Sequence, residues 1–160
     1  MFYSSKKYDV FVSFRGEDTR YGITNHIYEA LIHKSIKTYI DYELDRGEDV
    51  WPALSKAIED SHISVVVFSE NFATSKWCLE ELVKVLECRK DHGQIVIPVF
   101  YKTNPSHIRN QTHSYEKAFA KHERDLGTKN NASNKRMVLK WRSALTEAAN
   151  ISGWDTQTHR

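Results

Sequence analysis

Two side chains in the segment SKWCLEEL are placed to do chemistry together. Trp77 and Glu81 stand four residues apart, which on a helix puts them one turn apart on neighbouring paths. A carboxylate so placed accepts hydrogen bonds or steadies positive charge, and an indole offers a flat face to a planar ring. Leu79, Leu82, Val83 and Leu86 recur at the spacing of a single helical stripe, and Ser75 is a ready N-cap. The stripe faces a sheet, so the spacing predicts that Trp77 and Glu81 lie side by side off the core.

The elements that must hold this helix can be read on either side of it. The run Val65 to Phe68 is too short for a helix and rich in β-branched residues, which predicts a strand over about His62 to Phe68 buried on both faces. Tyr8 to Phe14 predicts a first strand, followed by a loop and a helix with Ile23, Ile27, Ala30 and Leu31 on one side. Ile36 to Ile40 predicts a short second strand. The charged loop Asp41 to Trp51 then leads to Pro52, which suits the first turn of a helix carrying Leu54, Ala57 and Ile58. Gly93 closes the helix of Trp77, and Gln94 to Tyr101 predicts a fourth strand. Its Pro98 cannot donate to a ladder and belongs near an edge or a bulge. Beyond it the pattern predicts a turn at Asn104 to Ser106, a short helix over Ser114 to His122, a loop from Gly127 to Asn134 and a helix over Met137 to Ala149. No fifth strand is visible; short pairing between Tyr101 and Tyr115 is the nearest candidate.

Strands alternating with amphipathic helices predict an α/β fold: a mostly parallel sheet with helices on both faces and right-handed crossovers. Ligands in such sheets bind beyond the carboxyl ends of the strands, where strand order reverses. For the order 2-1-3-4-5 that crevice lies between strands 1 and 3. The loops Arg15 to Arg20 and Ser69 to Lys76 then bring Arg15, Gly16, Trp77 and Glu81 around one opening.

The remaining composition narrows the function. The 160 residues suit one domain: a short extension over 1–7, a folded unit over 8–154 and a tail over 155–160. The net charge is only +2, with acids interspersed among the bases, so a nucleic-acid partner is not expected. No stretch is long enough to span a membrane. Cys78 and Cys88 fall ten apart on one helix, about 15 Å, too far to bridge, which fits a reducing compartment, the cytoplasm or also the nucleus. The sequons at Asn110, Asn131 and Asn150 are read as chance. The sequence holds no GxGxxG, Walker A, GxSxG, HExxH or CxxC pattern, and its histidines lack metal-ligand spacing, so neither a metal nor a bound cofactor is expected.

Several blocks carry a family resemblance: YDVFVSFRGEDTR, the L-x-RG-x₆-L-x-x-AIE-x-S pattern within ELDRGEDVWPALSKAIEDS, VVVFSENFATSKWCLEEL, VIPVFY and NPSHIRNQ. In this order, and over about Lys7 to Trp154, they resemble the Toll/interleukin receptor/resistance (TIR) domain of plant intracellular immune receptors. The resemblance implies a flavodoxin-like fold with a five-stranded parallel sheet. It also implies cleavage of NAD+ or NADP+ at the nicotinamide N-glycosidic bond, giving nicotinamide and ADP-ribose-type signals, with the dinucleotide as substrate rather than cofactor. The W-x-x-x-E motif places the catalytic role on Glu81, and the substrate surroundings fall on Phe14, Arg15, Gly16, Ser69, Trp77 and Cys78. Homotypic self-association is implied for the first helix, where the usual Ser-His reads Asn25-His26, and for Arg46, Gly47 and Glu48 in the loop after strand 2.

Each residue also has a plainer reading. Glu81 reads as a solvated helix acid, Trp77 as packed under the Ser69 to Ser75 loop, and Cys78 as a small semi-buried hydrophobe. Arg15 reads as the partner of Glu17 or Asp18, and His26 as a solvated helix residue. Two other functions therefore stand beside the enzyme: a non-catalytic interaction module that nucleates assembly, and a nuclease working through Cys78 and Glu81.

Overall fold

The computed structural model describes residues 6–19, 22–40 and 50–157. The apolar runs become strands: β1 (Tyr8–Ser13), β2 (Thr38–Ile40), β3 (Ser61–Phe68) and β4 (Ile95–Phe100), with a two-residue β5 (Trp154–Asp155). All four pairings are parallel and the order is β2-β1-β3-β4-β5, as expected for a flavodoxin-like sheet.

Side-chain alternation divides the core in two. Phe11, Val66, Phe68, Val96 and Phe100 pack towards α3 (Trp51–Glu59), α4 (Lys76–His92), α6 (Ser114–Asp125) and α7 (Ala132–Ala149). Val10, Val12, Val65, Val67 and Val99 face the other way, towards Ile23, Ile27 and Leu31 of α2 (Ile23–His33). Two short helices complete the chain, α1 (Gly16–Thr19) and α5 (Pro105–Arg109).

The helix that carries the candidate site is well specified at both ends. The Ser75 hydroxyl accepts from the Cys78 amide at 3.2 Å, Gly93 takes the left-handed conformation at φ 67°, and Arg89, Lys90 and His92 oppose the dipole in the last turn. Three boundaries differ from expectation. The turn at 104–106 is the start of α5, because the Asn104 side chain caps the Ser106 amide ahead of Pro105's helix-compatible φ. The expected loop up to Asn134 is shortened, since Asn131 caps α7 and starts it at Ala132, five residues before the expected start at Met137. The fifth strand lies not between Tyr101 and Tyr115 but at Trp154–Asp155, paired with Val99 and Phe100. Two residues carry no periodicity to detect.

Pro98 pairs opposite Val66, just ahead of the stretch that β5 covers. Its carbonyl faces Gly153, where an added Cβ would lie 2.1 Å from that oxygen and 2.6 Å from the proline Cγ. Only glycine lets β5 come this close. Gly153→Ala is therefore expected to cost about 1–3 kcal/mol, the range for overpacking, read as a lower urea midpoint. An unchanged midpoint would show that the approach tolerates a side chain.

Candidate functional site

Parallel pairing of Ser13 with Val66 sets the end of β1 two residues short of the end of β3 at Phe68, so the turn after β1 meets the loop after β3. Asp18 ties them together. Its carboxylate accepts from the Ser69 hydroxyl at 2.6 Å, the Asn71 amide at 2.7 Å and the Asn71 side chain at 2.9 Å. From the other side α6 clamps the same loop. The Ser114 hydroxyl donates to Glu70 O at 2.8 Å, the Tyr115 phenol to Ser69 O at 2.7 Å and His122 Nε2–H to Ala73 O at 2.7 Å. Burial drives the Tyr115 phenol well above its ordinary range. Burial also lowers the His122 pKa, with the Ala73 bond partly opposing it.

Glu81 is not off the core. It is 1% exposed, and the Ser13 hydroxyl donates to its Oε1 at 2.9 Å. One turn earlier the fully buried Cys78 places its Sγ 3.5 Å from Phe14 O. Consecutive residues at the end of β1 thus meet consecutive turns of α4. The stripe expected from four aliphatic residues was too narrow. Cys78, Val85 and Cys88 are buried as well, which widens the buried arc to about half the helix circumference, at roughly 100° per residue, and brings Glu81 inside it.

Trp77, about 40° further round by the same geometry, falls outside that arc. It is half-buried, 6.3 Å from Trp51 between ring centroids, and lines a groove of about 670 Å³ with Trp51, Lys76, Glu80, Met137 and Trp141. Trp141 Nε1 donates to Glu80 at 3.0 Å on the wall of this groove. Among the described residues, Trp77 lies in an aromatic groove beside α4, while Glu81 lies in a polar cluster at the end of β1. Trp77 packs against Trp51 rather than under the loop.

The other candidates divide between these settings. Phe14 and Ser69 are buried, Ser69 with its hydroxyl on Asp18, while Arg15 and Gly16 are half-buried at the turn. Asp18 spends both carboxylate oxygens on the loop. Asn25 and His26 are exposed on α2. Arg46, Gly47 and Glu48, with the whole charged loop 41–49, lie outside the described residues. Among the described residues no group of His, Cys, Asp and Glu is arranged to hold a metal, and no helix is long and apolar enough to cross a membrane. Sequence reasoning missed Ser13, Asp18 and Trp51; only Asp18, an acid at a strand-1 turn facing Ser69 across the switch point, carried a usable signal.

A family model described as TIR domain matches residues 7–160. The chain is 54% identical over 147 residues to the disease resistance protein RPV1 of Vitis rotundifolia, covering 92% of this chain and 10% of that protein. It is 52% identical over 147 residues to the TMV resistance protein N of Nicotiana glutinosa, covering 91% of this chain and 12% of that one. The chain thus spans about a tenth of the length of these relatives. Among solved structures, the TIR domains of the activated Roq1 resistosome, which directly recognizes the pathogen effector XopQ, superpose with a TM-score of 0.83 at 48% identity, covering 95% of this chain and 89% of that one.

Two outcomes follow from the clamped loop. Asp18→Ala removes three hydrogen bonds and is expected to raise amide exchange across residues 69–74 selectively; uniform exchange would show that α6 alone holds the loop. His122 has a folded pKa below its ordinary 6.5, so the unfolded chain binds the proton first. Its stabilising share is complete above about pH 6.5 and is lost as pH falls below it. The melting temperature is expected to drop from pH 7 to pH 5, and less so in His122→Gln; equal slopes would remove His122 as the cause.

Proposed function

This chain belongs to the TIR domain family, and from that premise we propose that it is an NAD+ nucleosidase of immune signalling whose activity depends on self-association. The observation that carries the reading is Glu81: a carboxylate withdrawn from water at the carboxyl end of β1, held by Ser13 at 2.9 Å. The scissile bond of NAD+ joins ribose to a pyridinium that departs as neutral nicotinamide, so no general acid is needed. As the bond breaks, positive charge builds on the ribose, and a carboxylate in a dry setting stabilises it strongly. Arg15 and the backbone amides near Gly16 supply donors for pyrophosphate oxygens. NADP+ is a second substrate of the same chemistry, and the products are nicotinamide and ADP-ribose-type signals.

Self-association has its own support. The Roq1 TIR domains were solved within an activated resistosome, and here the exposed Asn25-His26 pair on α2 offers a surface for a second copy. Since Glu81 is only 1% exposed, substrate reaches it after the surroundings rearrange, which assembly would drive. Two buried cysteines that form no disulfide fit a reducing cytoplasm.

The same burial favours a second reading, an interaction module in which Glu81 is only a hydrogen-bonded part of the interior. Nicotinamide release by concentrated or artificially clustered protein separates the two. Glu81→Ala is expected to reduce release by about 10²-fold or more, a loss typical of removing charge stabilisation, with assembly retained. Equal release from both proteins would leave the assembly role standing.

A further inference from the structure

We propose that Ser13 is a positioning residue for the nucleosidase reaction: its hydroxyl sets the rotamer of the Glu81 carboxylate and keeps it ionised. The inference rests on the reading of Glu81 given above. Ser13 is the last residue of β1, fixed by pairing with Val66 in the middle of the sheet, and is 1% exposed. Its hydroxyl therefore cannot wander, and it donates to Oε1 of an equally buried Glu81 at 2.9 Å. The neighbouring bond from Cys78 to Phe14 O holds the preceding turn of α4 to the same strand end. Together they fix the distance and the roll of the helix relative to the strand.

A serine at this place has consequences that a small apolar residue would not. A donor aimed at a carboxylate favours its ionised form, the form that steadies a developing cation. It also fixes which way the carboxylate plane faces, and a misplacement of about 1 Å costs as much as 10²-fold in rate. Among the described residues, charged or titratable groups at this end of the sheet include Arg15, Asp18, Glu70, Cys78, Tyr101 and Tyr115. Asp18 is held by Ser69 and Asn71, and Tyr115 by Ser69 O.

The test is the pH profile of nicotinamide release from NAD+ by the clustered chain, for wild type, Ser13→Ala and Glu81→Ala, with melting temperatures measured alongside. In Ser13→Ala, kcat is expected to fall about 10- to 100-fold, and the acid limb of the profile to move towards higher pH by roughly one unit. A packing role alone would lower the melting temperature and leave the limb in place. Ser13→Cys, near in shape and a weaker donor, is expected to shift the limb in the same direction and replaces the alanine variant if that fails to fold. A wild-type profile in these variants, or a rise in kcat, would overturn the inference while an inactive Glu81→Ala keeps the enzyme reading. An active Glu81→Ala would sink both.

Discussion

The register between β1 and β3 is the constraint from which the rest follows. Five paired positions, from Tyr8 opposite Ser61 to Ser13 opposite Val66, set the end of β1 two residues short of the end of β3 at Phe68. A slip of one residue would turn Phe11 and Val66 out of the larger core and carry Ser13 away from α4. Both strands are buried on both faces, so the register is enforced by two independent sets of contacts rather than one. Asp18 then needs no long reach to bridge the turns, and α6 closes the loop from behind.

Placing a carboxylate inside such an assembly opposes folding, because an ionised group withdrawn from water costs several kcal/mol unless hydrogen bonds replace its hydration. The fold places a hydroxyl at its carboxylate and stiff elements around it. Such a cluster trades stability for rigidity, with hydroxyl and carboxylate held in one geometry by the strand and the helix that carry them. The same region separates an apolar task from a polar one. Trp51, Trp77 and Trp141 line a groove beside α4, while Cys78 and Glu81 meet the end of β1 within.

Much of the architecture could be read from residue order because the strands are short apolar runs and the helices carry strong periodicity. A parallel sheet covered on both faces followed from the alternation. The meeting of the two switch-point loops followed once the order 2-1-3-4-5 was taken, an order that the family resemblance supplied and the alternation did not. What escaped had no pattern to leave. β5 is two residues long, and α7 starts on a polar ASNKR segment fixed by a cap. The site was half legible. The spacing of Trp77 and Glu81 is correct as helical geometry, but which of them turns inward depends on how wide an arc the neighbours bury. Two cysteines and a valine decided that, and none of them stood out as core. Ser13 is invisible for another reason: a serine ending a strand says nothing of the acid 68 residues later that accepts its hydrogen bond.

Pro98 carries a last implication. Its carbonyl points to the flank where Gly153 passes, and by the pleat of the strand its ring nitrogen points the same way. β5 pairs only with Val99 and Phe100 and Gly153 covers the flank of Pro98, so the rim beside β5 is the short stretch from Ile95 to Ile97, closed at one end by a residue with no N–H. A foreign strand seeking to extend the sheet there meets a gap in the ladder. On this edge the sheet is thereby protected from backbone-to-backbone zippering, and anything that docks beside Ile95 has to be held by side chains, which sequence can tune.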